Sequence, residues 1–151
     1  MKTDSRLSVT LHVLLHMAER GKPMTSAELA AHMDTNPVVV RRTMAGLRER
    51  GFVRSEKGHG GGWKIAADLD RITLKDVHDA LGGPRLLAIG INLEDPACLV
   101  EQAVNRSLTS AFRDAEALLV SRLADVTLAE LAADFRHHAA LHRAANANKD
   151  H

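Results

Sequence analysis

The chain has 151 residues, of which 45% are hydrophobic and 26% charged, a composition typical of folded globular proteins and not of disordered ones. A single cysteine excludes an intrachain disulfide scaffold. No signal-peptide pattern opens the chain and no apolar run approaches the ~20 residues of a membrane span, which favours a cytoplasmic protein. The net charge is +1, but residues 37–64 carry 7 Lys or Arg against 2 Asp or Glu. This local excess indicates a segment that faces a polyanion.

The first part of the chain predicts two helices. Apolar residues recur at helical spacing between positions 7 and 18, and Gly21 ends this first helix. The apolar positions in question are Leu7, Leu11, Leu14, Leu15 and Ala18. Either Thr25 or Ser26 caps a short second helix that has a glutamate in its first turn.

A third helix and a β-hairpin follow. Asn36 caps a helix over residues 37–50, because proline at the first helical position needs no hydrogen-bond acceptor. Two short helices joined by a polar turn, after a packing helix, are typical of a helix-turn-helix. Residues 52–55 and 63–66 then predict two strands, joined by a glycine-rich tip at 58–62 where a backbone can approach another surface closely.

The second half of the chain is predicted to be mostly helical. Thr73 caps a short helix, and residues 84–95 form an apolar loop. Asp95, followed by proline, starts a long helix that reaches Ala124, and Thr127 caps a final helix. Apolar residues recur on the long helix at steps of 4, 3, 4 and 3, as in a coiled-coil seam. The seam consists of Val104, Leu108, Ala111, Ala115 and Leu118.

The predicted fold class is mainly α with a small β-hairpin. It comprises a winged helix-turn-helix DNA-binding domain over residues 1–82, a sensor loop over 83–96 and dimerisation helices over 97–145. Residues 146–151 are predicted to form a flexible tail.

DNA is the predicted partner of the basic segment. The candidate contacts are Ser26, Val38, Arg41, Arg42, Arg48, Lys57, His59 and Gly60. Arg41 and Arg42 can donate to guanine or phosphate, and Val38 can touch a thymine methyl group. Free N–H groups at the start of the second helix can hold a phosphate, and basic residues at the hairpin tip can enter a minor groove. The alternative is a solvated basic surface, which the order of helix, turn, capped helix and hairpin disfavours.

The sequence resembles the Rrf-two type winged-helix regulators, which include the iron–sulfur-cluster regulator and the nitric-oxide-sensing repressor. The resemblance is carried by residues 47–53, 57–63, 72–77, 98–100 and 126–131. It implies a homodimeric transcription regulator, usually a repressor, that pairs through the long helix and binds a palindromic operator. Members of this family often sense iron–sulfur status, nitric oxide or oxidants.

Cys98 is the first sensor candidate. With Asp95 as cap it falls at about the third helical position, where the helix dipole favours a thiolate. Related cluster-binding regulators carry three cysteines here, whereas Leu86 and Asn92 occupy the two other positions in this chain. Cys98 is therefore a lone redox thiol, a ligand of an iron–sulfur cluster completed by histidines of the dimer partner, or a packing residue.

His12 and His16 are the other sensor candidates, because i, i+4 spacing on the first helix can place both imidazoles on one metal. Some members of the family use a first-helix histidine near the position of His12, together with a glutamate that Ser8 replaces here. The alternative is a histidine bonded to a backbone carbonyl. The three histidines at 137, 138 and 142 give a weaker metal signal and are expected on a solvated face.

An enzyme is not predicted, since no phosphate loop, nucleophile elbow or zinc-hydrolase signature is present. Aromatic residues make up 3% of the chain, which disfavours a single-stranded RNA binder. The sequence therefore predicts a homodimeric repressor that responds to a redox or iron–sulfur signal through Cys98. The alternative is a regulator or protein-interaction module with a degraded sensor site and no cofactor.

Overall fold

The structure of the protein, a computed structural model, is described for residues 4–87 and 97–147. These residues form six helices and one antiparallel hairpin, which confirms the predicted fold class. The helices are α1 (Arg6–Arg20), α2 (Ser26–His32), α3 (Pro37–Glu49), α4 (Leu74–Ala80), α5 (Leu99–Ala124) and α6 (Leu128–Ala147), and the strands are β1 (Val53–Glu56) and β2 (Gly62–Ile65). A 3-10 turn, Leu69–Arg71, precedes α4 and was not predicted.

Local sequence signals set most helix ends. Gly21 adopts a left-handed conformation with φ of 64° and its N–H donates to the Met17 carbonyl, which ends α1. A capping box identifies Thr25, and not Ser26, as the cap of α2, since the Thr25 hydroxyl and the Glu28 carboxylate satisfy each other's backbone N–H. The same arrangement links Thr73 with Asp76 at the start of α4.

The hydrophobic core lies among α1, α2, α3, the hairpin and α4. The buried residues of α1 are Thr10, Val13, Leu14 and Met17. Of these, only Leu14 belongs to the predicted apolar stripe. The difference arises because α1 packs against β2, α4 and α6 at once, so that contacts with three neighbours decide which face is covered. On α3 the buried residues are Val40, Met44 and Leu47, as predicted.

The start of α6 belongs to the same core. The Leu74 N–H donates to the Val126 carbonyl at 2.9 Å, and the Leu128 N–H donates to the Ile72 carbonyl at 2.8 Å. Leu128 and Ala132 are completely buried. The C-terminal helix therefore folds back onto the winged-helix part of the chain.

By contrast, α5 has no fully buried residue over its 26 residues. At ~1.5 Å per residue it is about 39 Å long. The predicted loop and its Asp95 helix start fall largely on residues 88–96, outside the described part of the chain. At the C-terminal end α6 continues to Ala147, and the rest of the predicted tail also lies outside the described residues.

Candidate nucleic-acid interface and sensor residues

The N-terminal half of α3 carries three of the predicted DNA contacts on its exposed side. The Asn36 side chain accepts hydrogen bonds from the Val38 and Val39 N–H groups at 3.0 and 3.1 Å, so the helix begins with two of its free donors satisfied. Val38 is 58% exposed. Arg41 and Arg42 are exposed as well. The buried residues of α3 thus hold the helix with its basic side toward solvent.

The hairpin is fixed beside α2 by backbone pairing. Trp63 and Met24 exchange two hydrogen bonds, of 2.9 and 2.8 Å, which add a third short strand segment to the sheet. Gly62 makes this pairing possible: its φ is 145°, and a Cβ there would lie 2.5 Å from the Met24 carbonyl oxygen. The glycine is therefore needed for the fold.

The tip of the hairpin is open. Lys57, His59 and Gly60 are exposed. Gly60 has a φ of 77°, and a Cβ added there would meet nothing within 4 Å. The tip thus has free space around its backbone at Gly60, and it carries one lysine and one histidine.

Two predicted DNA contacts have partners within the protein. The Trp63 indole N–H donates to the Ser26 hydroxyl at 3.1 Å, which joins the first residue of α2 to the hairpin. The Arg48 guanidinium lies over the Trp63 ring, 5.7 Å from its centroid. Ser26 and Arg48 therefore take part in attaching the hairpin to the helix-turn-helix.

Cys98 lies one step before α5, which corrects the predicted third helical position. Its backbone is extended, with φ of −71° and ψ of 117°, so the helix begins at Leu99 and Cys98 is the N-cap. The Cys98 carbonyl accepts the Gln102 N–H at 2.9 Å. The thiol is half-buried and free of any disulfide.

The two first-helix histidines come together with a third that the sequence analysis did not select. His12 and His16 lie on α1, and the third histidine, His32, is the last residue of α2. One ligand nitrogen from each lies within 4.8 Å of the others, and all three residues are exposed. His32 lies on a different helix and has no helical spacing relative to His12 or His16, so no local sequence pattern predicts that it joins them.

The family to which the chain belongs is established by a match to a sequence profile. The profile of the Rrf2 family, described as "Iron-dependent Transcriptional regulator", matches residues 3–134, nearly the whole chain. The chain belongs to the Rrf2 family. It is thus a transcriptional regulator and not an enzyme.

Relatives of known sequence or structure agree with this assignment. YwnA of Bacillus subtilis, named as an HTH-type transcriptional regulator, is 29% identical over 129 residues, which cover 85% of this chain and 95% of that protein. A crystal structure of a transcriptional regulator from Lactobacillus plantarum superposes with a TM-score of 0.70 at 24% identity and covers 95% of this chain and 98% of that one. CymR, the global cysteine regulator of B. subtilis, superposes with a TM-score of 0.58 at 25% identity and covers 88% and 97%.

The donor set of this Rrf2 chain does not fit a three-cysteine iron–sulfur cluster. Such clusters are held mainly by cysteine thiolates, and the chain has one cysteine. Within residues 4–87 and 97–147, no group of three or more close histidine, cysteine or carboxylate ligands includes Cys98.

No helix among these residues is long and apolar enough to cross a membrane.

Proposed function

We propose that this Rrf2 regulator is a cytoplasmic homodimeric repressor that binds a palindromic operator through α3 and the hairpin. The observation that carries the proposal is the exposed N-terminal half of α3, with Val38, Arg41 and Arg42 on one side of a helix whose other side is completely buried. In helix-turn-helix proteins the N-terminal residues of the second helix contact base edges in the major groove. Val38 and Arg42 stand one turn apart, which suits neighbouring base pairs.

The hairpin supplies a second group of contacts. Lys57 and His59 project at an exposed tip, and Gly60 leaves the backbone there without a Cβ. We place this tip against phosphate or in the adjacent minor groove. Ser26 is retained as a phosphate contact through the backbone at the start of α2, while its hydroxyl is used by Trp63.

The dimer is proposed to form through α5. Every member of the predicted seam is exposed in the single chain, and the exposed fractions of Leu108, Val104 and Leu118 are 38%, 50% and 60%. Two further apolar residues at the start of the helix, Leu99 and Val100, are more than 70% exposed. A second copy of α5 would cover this surface, and a two-fold symmetric pair explains a palindromic operator.

Cys98 is the proposed redox-responsive residue. It is a half-buried, unpaired thiol at the N-cap of the proposed dimerisation helix, so a change in its oxidation state would act where the helix begins. An iron–sulfur cluster would need His12 or His16 of the partner beside Cys98, and the single thiol makes this the less supported alternative.

Operator binding is tested first. Duplexes selected from a random pool by the wild-type protein should contain two inverted half-sites about 10 bp, or a multiple of this, apart. Arg41→Ala and Arg42→Ala should each weaken binding by about 1–3 kcal/mol and relax specificity at one position, as measured by fluorescence anisotropy. Affinity should fall steeply with salt, since phosphate contacts release counterions.

Arg143→Ala is the matched control, because Arg143 is also exposed but lies on α6. Its affinity should equal that of the wild type. If both α3 variants bind as tightly as the wild type, α3 does not contact the operator. If no duplex is enriched, the chain is an interaction module and not a DNA-binding regulator.

The role of Cys98 is tested on protein purified without oxygen. The wild type should be colourless and free of iron and sulfide, and oxidised glutathione should change its operator affinity by forming a mixed disulfide with release of glutathione. Cys98→Ser should bind the operator and not respond. Visible sulfide-to-iron absorption that is lost in Cys98→Ser would show that Cys98 binds an iron–sulfur cluster and is not a free redox thiol. Unchanged affinity of the wild type for the operator after oxidation would refute a sensor role.

A further inference from the structure

The histidine cluster lies where α1 meets the end of α2. His12 and His16 have ring centroids 4.6 Å apart, and those of His16 and His32 are 4.5 Å apart. Within residues 4–87 and 97–147, these three form the only group of three or more potential ligands whose donor atoms all lie within 4.8 Å of one another. Two consecutive helices, α1 and α2, therefore contribute to a single donor set.

We propose that His12, His16 and His32 bind one divalent transition-metal ion of the zinc, nickel, cobalt or copper type. Imidazole nitrogens suit these ions, whereas Mg²⁺ and Ca²⁺ require oxygen ligands. Three protein ligands with an open fourth position, filled by water, are a common tetrahedral arrangement for zinc. Tetrahedral geometry needs nitrogens about 3.3 Å apart, and the exposed rings can rotate about their χ angles to reach it.

Ligation of a metal ion requires the neutral form of imidazole. The surroundings of the rings leave room for an ion. One side of the cluster is a pocket of about 160 Å³ lined by His12, Leu15, His16, Glu19 and Phe135. The Glu19 carboxylate in this pocket lies 3.5 Å from Arg136.

This histidine site differs in its chemistry from a site for an iron–sulfur cluster. Its three donors are all nitrogen, and Cys98 is not among them. It does not depend on the proposed operator binding, since the ligands lie on α1 and at the end of α2. Because His32 directly precedes the turn to α3, a bound ion would tie α1 to the helix-turn-helix and stabilise the folded chain.

The test uses the full chain without a histidine tag, freed of metal by a chelator. Zn²⁺ binding is measured by equilibrium dialysis in chelator-buffered solution, and Co²⁺ binding by its visible absorption. We expect one ion per chain and a rise in Tm on addition of Zn²⁺, with no response to Mg²⁺. His32→Gln and His16→Gln should each weaken Zn²⁺ binding by at least about 10- to 100-fold. Loss of a residue that only hydrogen-bonds to a metal ligand already weakens metal binding by this factor, and loss of a ligand itself should weaken it no less.

His142→Gln and Cys98→Ser are the controls, and both should bind Zn²⁺ as tightly as the wild type. Without metal, His32→Gln should have the Tm of the wild type, because the side chain is exposed. The proposal is overturned if the wild type binds less than one Zn²⁺ per chain, if His32→Gln binds as well as the wild type, or if Cys98→Ser loses the ion.

Discussion

At the scale of single residues, two side chains that the sequence assigned to DNA also hold the fold together. Ser26 accepts the Trp63 indole N–H, and Arg48 lies over the same ring. The glycine-rich tip divides in a similar way: Gly62 is required by a close backbone contact, whereas Gly60 has open space around it. Loss of DNA binding in a Ser26 or Gly62 variant would therefore not by itself indicate a DNA contact.

Removing the Ser26 hydroxyl should lower the stability of the protein. Ser26→Ala leaves the part-buried Trp63 N–H without its acceptor, which should reduce the free energy of unfolding by about 1 kcal/mol. Urea titration followed by circular dichroism measures the change. In a Trp63→Phe background the same substitution should cost much less, since no donor is left, and equal costs in both backgrounds would show that the hydrogen bond contributes nothing.

At the scale of secondary-structure elements, α5 stands apart from the others. Residues on one of its faces are half-buried against its own chain: Glu101, Gln102, Asn105, Thr109, Phe112, Glu116, Val120 and Leu123. The predicted seam lies on a different, exposed face. A helix that is covered on one face and exposes a row of apolar residues on another is expected to pack a further surface against the exposed row.

A charge on the exposed face should break the proposed dimer. Leu118→Glu places a carboxylate in an apolar interface, where burial of an unpaired charge is unfavourable. Sedimentation equilibrium at micromolar concentration should show a dimer for the wild type and a monomer for the variant. Ala117→Glu is the control, because Ala117 is exposed but turned well away from the seam and should leave the dimer intact. A monomeric wild type would contradict the assignment of α5.

At the scale of the whole molecule, charge is distributed unevenly and some of it is tied to folding. The pKa of His16 is lowered by partial burial and then by His12 and His32. The pKa values of Asp4 and Asp79 are also lowered, chiefly by hydrogen bonds from Arg6 and Lys75 respectively. In each case the unfolded chain binds the proton more tightly than the folded one, so acidification favours unfolding.

Stability should therefore fall in two stages as the pH decreases. The first begins near the ordinary histidine value of 6.5 and ends at the lowered pKa of His16. The second begins near the ordinary aspartate value of 3.8, as the paired carboxylates become protonated. Urea unfolding of metal-free protein across this range measures both, and His16→Gln should remove the first stage only. A wild type equally stable at pH 7.5 and 5.5 would refute the first stage.

Local signals in the sequence predicted most of the architecture. The caps at Thr25, Asn36 and Thr73 set helix starts because they act on backbone groups within three residues. The strands were predicted to within one residue, since the glycine-rich tip separates two short β-prone segments. Where the signals competed, as for the face of α1, packing against three neighbours decided the outcome.

The helix-turn-helix, the hairpin and the basic exposed side of α3 could be predicted without coordinates, since each depends on residues that lie close together in the chain. The family resemblance could be predicted as well, from motifs spread along the chain. The contacts of Trp63 with Ser26 and Arg48, and the burial of the start of α6 in the winged-helix core, follow only from how the elements pack. Packing also brings His32 to the two histidines of α1. These contacts join elements at separations that follow no helical or strand period, and they form only when the core packs.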